Sequence, residues 1–232
     1  MDETVIPRPV APSLVVQGSS ARFPVRRIYC VGRNYADHAR EMGDTGRERP
    51  FFFAKPADAI LNVADGTEGL LAYPSVTHNL HHEVELVVAL GTGGHDLTVD
   101  QAAACIWGFA IGLDMTRRDL QAESKKTGRP WETGKGFDHS APIGPLHAVK
   151  DTGLMTAGPI TLSVNGQMRQ SGDLSDMIWS VPEAIADLST FFTLHPGDLL
   201  FTGTPAGVGA VVTGDHLEAA VQGLGRMRIR IG

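Results

Sequence analysis

The chain has 232 residues, 42% of them hydrophobic and 20% charged, which supplies a packed core and excludes wholesale disorder. Glycine (27) and proline (14) together exceed the roughly 12% of ordinary chains. They follow no three-residue period, so a turn-rich globular fold is expected rather than collagen or a helix bundle. The net charge of −6 disfavours non-specific binding to nucleic acid or an anionic membrane, but leaves room for a local basic pocket.

The opening MDETVIPRP is acidic and proline-rich and does not read as a secretory leader. Residues 1–24 are expected to form an irregularly packed arm ahead of one domain over 25–232. VRRIYCVG (25–32) reads as a strand, NYADHAREM (34–42) as a helix stopped by Gly43, and FFFAKP (51–56) as a strand ended by proline. HHEVELVVALG (81–91) is the clearest strand in the chain. TVDQAAAC opens with a Thr98 or Asp100 cap and runs into a strand toward Asp114. TRRDLQAESKKTG (116–128) is a polar helix closed by glycine, and residues 129–160 are rich in loops. The Asn-Gly in ITLSVNGQMRQ marks a hairpin, and VPEAIADLSTFFTL (181–194) is a helix opened by Pro182. With many short strands, few helices and no βαβ repeat, the expected class is a β-rich mixed α+β roll or sandwich. Cys30 and Cys105 sit in apolar runs and read as reduced core residues of a cytoplasmic protein. No apolar run approaches the roughly 20 residues of a membrane span.

Glu83 and Glu85 lie two apart on an apolar strand, so their carboxylates share one face. Buried, they would repel, and a divalent cation would resolve the conflict; on a solvent face they would need none. Asp114 ends the apolar run GFAIGL and can complete an oxygen-rich site suited to magnesium, manganese or calcium. His81 and His82 stand beside it, without the spacing of a zinc motif.

Arg118 and Gln121 follow Asp114 at offsets of four and seven, which on a helix is one face. There they would bind a carboxylate or enolate oxygen, unless the helix is merely solvated. Lys135, in TGKGF, is either an oxyanion-stabilising group or a loop lysine. His38 and Glu41, three apart, can form an oriented general base or an exposed pair. FTGTPAGVG (201–209) is neither a dinucleotide fingerprint nor a P-loop, but its backbone and Thr204 can hold a small carboxylate.

Together the strings YCVGRNYADHAREMG, PFFFAKPADAI, NLHHEVELVVALG, GLDMTRRDLQ, GRPWETGKGFDHSAPIGP, VNGQMRQSGDLSDMIW and HPGDLLFTGTPAGVG closely resemble the fumarylacetoacetate hydrolase family. Its bacterial fumarylpyruvate hydrolases and acylpyruvases are the most similar branch. The resemblance implies a β-roll around a metal site, usually in a homodimer. It implies Mg²⁺ or Mn²⁺ on Glu83, Glu85 and Asp114. His38 and Glu41 fall on the water-activating dyad, carried by a lid helix. Lys135 falls on the oxyanion position, and Arg118, Gln121 and Thr204 on substrate-binding positions. The implied reaction cleaves the C–C bond of a 2,4-dioxo acid, fumarylpyruvate and water giving fumarate and pyruvate, as in gentisate-type aromatic degradation. Oxaloacetate decarboxylation, or isomerisation or decarboxylation of aromatic-degradation intermediates, by the same site is the nearest alternative, and a non-catalytic binder of small acids the alternative of another class. Phe51 to Phe53, the basic patch at Arg47 and Arg49, and the 203–209 loop are candidates for contacting the acyl group.

Overall fold

The computed structural model describes residues 4–7, 9–35 and 47–232. Val84–Leu90 is buried at every position, as its unbroken apolar run requires of a strand covered on both faces. It pairs antiparallel with Ile106–Leu113 on one side and Asp198–Phe201 on the other. Beyond Asp198–Phe201 come Arg27–Gly32, in parallel, and the edge strand Phe51–Lys55. Beyond Ile106–Leu113 come Ala141–Ile143 and Ile60–Asn62, while His147–Ala148 also pairs with Ile106–Leu113, completing a mixed eight-stranded sheet.

Side-chain alternation divides the core. Leu86 and Val88 join a large cluster with Ile160, Leu217 and Ile229 of a second, five-stranded sheet. Ala184, Ile185 and Leu188 of the helix Val181–Phe191 pack into the same cluster. Val87 and Ala89 face the opposite way, onto Ile28, Cys30 and Phe201. This is the β-rich α+β architecture expected from the sequence.

Local signals hold where they are self-contained. Thr98 caps Val99–Ala104 with a reciprocal bond to Gln101, and Ser180 with Glu183 does the same for Val181–Phe191, which has proline in its first turn. Asn165 and Gly166 have φ of 51° and 76°, the left-handed pair a tight hairpin turn needs. Cys30 and Cys105 are free and buried. Among the described residues no helix is long and apolar enough to cross a membrane.

Three features differ from expectation. The N-terminal segment contains an ordered ribbon, Ser13–Val15 paired with Arg22–Pro24, whose Leu14 and Phe23 cap the smaller core cluster. The strand expected over 81–91 breaks at Glu83: Leu80–His82 pairs with Thr116–Arg117 and Gly209–Val211 in a separate small sheet. The helix carrying Arg118 begins at that residue, so Asp114 ends a strand and shares no helix face with it. The helix expected over 34–42 lies, from residue 36 on, outside the described residues.

Asn34 ties distant segments together beside the sheet. Its Nδ2 donates to Trp179 O at 2.9 Å and Thr202 O at 2.8 Å, and its Oδ1 accepts from the Trp179 N–H at 2.8 Å. Replacing this buried amide strands several polar groups. Asn34→Ala should therefore lower the unfolding free energy by about 2–5 kcal/mol in urea titration; a loss below about 0.5 kcal/mol would contradict the clamp.

Candidate active site

The two central strands end side by side, and the Asp114 N–H donates to Glu83 O at 2.9 Å. That juncture brings Glu83, Glu85 and Asp114 together, all buried, with one oxygen of each within 4.8 Å of the others. The solvent-face alternative for the glutamates is thereby removed. Glu85 accepts the Gly203 N–H at 2.6 Å. Burial, reinforced by Asp114 and Glu83, pushes the Glu85 carboxyl well above the ordinary carboxylate range, and Lys135 and the Gly203 amide only partly offset this. Three buried oxygen donors, one of them held by a backbone amide and not by a cation, fit a hard divalent cation. Histidine does not complete the set: His82 bonds Gln170 Oε1 at 2.9 Å, and His81 bonds Asn79 Oδ1 at 2.9 Å. Burial and the adjacent Arg118 lower the His81 pKa to about 4, which keeps its ring neutral at pH 7.

The cations surrounding this cluster come from separate elements. Lys135 is buried in the short helix Glu132–Lys135 and is no surface-loop lysine. Its Nζ donates to Asp114 Oδ2 at 2.6 Å, Thr116 Oγ1 at 2.7 Å and Glu83 Oε2 at 2.9 Å. Burial opposes its charge, but Asp114 and Glu83 outweigh burial, so the pKa is raised and Lys135 stays an ammonium. Arg118 pairs with Glu83 and donates to Gln121 Oε1 at 2.6 Å. Both residues line the cavity, and their juxtaposition with Asp114 comes from the short strand Thr116–Arg117 rather than a helix face shared with it.

Thr204 is buried in the wall, and its hydroxyl donates to Val84 O at 2.8 Å while accepting from Gln170 Nε2 at 2.7 Å. Gly203, with φ of 95°, lets the loop turn so that its amide meets Glu85; a Cβ there would stand 2.8 Å from that of Asn34. His38 and Glu41 lie outside the described residues. Arg47 and Arg49 do not reach the cavity wall: they bind Glu183 at 2.6 Å and Asp187 at 2.8 Å on the helix Val181–Phe191.

The residue the sequence reading passed over is Lys55. Its side chain is fully buried at the end of Phe51–Lys55 and pairs with Asp114 Oδ1 at 2.8 Å. Its ammonium also donates to Met115 O at 3.3 Å and to Lys135 O, so it braces a ligand carboxylate and the turn carrying the other lysine. A lysine placed within an aromatic strand ahead of proline was the available signal. The cavity above the cluster takes in about 420 Å³, open solvent at its mouth included, with Phe53, Arg33 and Trp131 on its walls.

The profile described as fumarylacetoacetate (FAA) hydrolase, C-terminal, matches residues 27–232, and the chain belongs to the fumarylacetoacetate hydrolase family. It is 54% identical to the crystal structure of fumarylpyruvate hydrolase from Pseudomonas aeruginosa in complex with Mn²⁺ and pyruvate, with a TM-score of 0.97 over 99% of each chain. It is 43% identical over 192 residues to the fumarylpyruvate hydrolase of Ralstonia sp., covering 82% of this chain and 96% of that protein. It is also 42% identical over 208 residues to the oxaloacetate tautomerase YcgM of Escherichia coli, covering 89% of this chain and 93% of that protein.

Two outcomes follow from the charge balance. Lys55→Met should destabilise the metal-free protein by about 3–5 kcal/mol, because it leaves the buried Asp114 Oδ1 without its cation. Added Mn²⁺ should recover more of the melting temperature in this variant than in the wild type, and an equal loss with and without Mn²⁺ would contradict that account. A cation binds the ionised carboxylate, so its binding opposes the upward shift of the Glu85 pKa in the metal-free fold. Mn²⁺ affinity should therefore fall as pH falls through that raised pKa, and calorimetry in buffers of different ionisation enthalpy should show proton release on binding.

Proposed function

We propose that this protein hydrolyses the C–C bond of a 2,4-dioxo acid, with fumarylpyruvate as substrate and fumarate and pyruvate as products. The observation that carries this reading is the convergence of a buried three-carboxylate centre, Lys135 and the Arg118–Gln121 pair on one cavity. The 54% identical structure with Mn²⁺ and pyruvate gives it a chemical frame.

Glu83, Glu85 and Asp114 would hold Mg²⁺ or Mn²⁺. The ion, when bound, withdraws electrons from the 2-oxo acid end of the substrate and so makes C3 a feasible leaving carbon. Arg118 offers a guanidinium fork, steadied by Gln121, to the carboxylate at that end. His38, oriented by Glu41, takes a proton from water, and the resulting hydroxide attacks the C4 carbonyl. The Lys135 ammonium, kept charged by its acidic neighbours, faces the oxyanion that develops there. Collapse of that adduct breaks C3–C4, releases the acyl group as fumarate, and leaves C3 to gain a proton and become pyruvate. Thr204 shapes the opposite wall, with its hydroxyl committed to Val84. The family resemblance further supports a homodimer in the cytoplasm, with an arm over 1–24 and the catalytic domain over 25–232.

A second reading follows from the 42% identical oxaloacetate tautomerase. Tautomerisation moves a proton between C3 and the 2-oxo oxygen and needs no attacking water. A panel of fumarylpyruvate, acetylpyruvate and oxaloacetate with Mg²⁺ or Mn²⁺ separates the two. We expect stoichiometric fumarate and pyruvate from fumarylpyruvate, and a loss of at least about 100-fold in kcat for His38→Ala with Mn²⁺ binding retained. Unchanged turnover in that variant would remove His38 from the reaction. Tautomerisation of oxaloacetate without cleavage of fumarylpyruvate would favour the second reading.

A further inference from the structure

The cavity has a second set of charged groups that the reaction above does not use. Its buried floor holds the three carboxylates and Lys135, with Arg118 paired to Glu83 beside them. Its outer wall, where exposure rises, is made by Arg33, Phe51, Trp131 and Lys125. Among the described residues, the cationic lining groups set back from that acidic floor are Arg33 and Lys125.

Arg33 is the one built into the wall. The strand Arg27–Gly32 ends at the cavity, with Gly32 paired to Phe51 across the ladder. The Phe51 ring lies against Gly32 so closely that a Cβ there would come within 2.0 Å of it. Phe51 is fixed from its other side by an edge-on contact with Trp131, with centroids 5.5 Å apart. The next residue, Arg33, is held at φ of 57°, a left-handed conformation that a side chain this large adopts only when its surroundings impose it. Its guanidinium carbon stands 5.8 Å from the Phe51 centroid, and the following residue, Asn34, is bonded through its own side chain to Trp179 and Thr202. The fold thus turns a guanidinium toward the outer part of the cavity at a cost in backbone strain.

We infer that Arg33 binds the distal carboxylate of the substrate and makes the site selective for 2-oxo acids that carry a second acid group. The inference rests on the proposed reading that the 2-oxo acid end occupies the metal end of the cavity. A fumaryl group extends away from that end and terminates in a carboxylate, which an arginine fork fits and a neutral aromatic wall would reject. An acetyl group presents nothing for Arg33 to bind. Lys125, on the helix Arg118–Thr127, is exposed, whereas Arg33 is half-buried in the wall.

The test uses the Mn²⁺-loaded protein and a matched ligand pair of equal chain length, 2-oxoheptanedioate and 2-oxoheptanoate, neither of which has a C4 carbonyl to attack. Calorimetry should find the diacid bound about tenfold to a hundredfold more tightly by the wild type. Arg33→Gln should bring that ratio to within about twofold of unity, Arg33→Lys should restore part of it, and Lys125→Gln should retain it. Arg33→Gln should also lower kcat/KM for fumarylpyruvate about tenfold or more relative to acetylpyruvate, mainly through KM. A diacid preference that is absent in the wild type, survives Arg33→Gln, or disappears in Lys125→Gln instead, would overturn the inference. If the preference follows Arg33 while fumarylpyruvate is not cleaved, the hydrolase reading fails and the binding inference stands.

Discussion

Three carboxylates with oxygens within 4.8 Å of one another, all inside the protein, create an electrostatic conflict around which the surrounding structure is arranged. Buried like charges are costly, and no single neighbour here neutralises them. Lys135 bridges Glu83 and Asp114, Lys55 holds the other oxygen of Asp114, Arg118 takes Glu83, and Glu85 is left with a backbone amide. These partners come from an edge strand, two helices and a glycine loop, so the site exists only when the eight-stranded sheet is complete. The least compensated carboxylate is Glu85, whose pKa is raised, and there a divalent ion relieves most. The same uncompensated carboxylate that makes the metal-free fold costly thus favours a cation at the site.

The cations around the centre are not interchangeable. Lys55 is fully buried and directs its ammonium to Asp114 and to two backbone carbonyls, which makes it a brace. Lys135 has similar burial, but it also borders the cavity and lies 5.1 Å from the Phe53 centroid. Only the second borders the space above the carboxylates. Overall acidity of the chain therefore says little about the cavity, where positive and negative groups are interleaved at hydrogen-bond distance.

Legibility in the sequence followed how local the cause was. Glu83 and Glu85 stood out because two acids in an apolar strand contradict their surroundings within a few residues, and Asp114 because it ends the apolar run IWGFAIGL. The Thr98 cap, the Asn-Gly hairpin and Pro182 at a helix start were equally self-contained. Arg118 and Gln121 do share a helix face, but Asp114 does not lie on it, because helical spacing cannot reveal that the chain passes through a short strand first. Arg47 and Arg49 looked like a basic patch, yet their partners, Glu183 and Asp187, lie more than 130 residues away. Lys55 was passed over for the same reason: its inward direction is set by pairing with Arg27–Gly32, a contact that local sequence does not encode.

That pairing also links the floor of the cavity to its wall. Along Phe51–Lys55 the side chains alternate, so residues 51, 53 and 55 share one face. Phe51 meets Gly32, Arg33 and Trp131 at the wall, Phe53 lies beside Lys135, and Lys55 reaches Asp114 at the floor. Phe52, facing the other way, packs against Phe191 on the helix side of the sheet. A slip of one residue would turn Phe52 and Ala54 toward the site, withdraw Lys55 from Asp114 and remove the ring from Gly32. The register is held by five consecutive partners from Ile28 to Gly32, and only glycine at position 32 leaves room for the Phe51 ring. One edge strand therefore positions both the lysine that braces the metal-binding carboxylate and the aromatic ring beside Arg33, which couples the chemistry at one end of the cavity to recognition at the other.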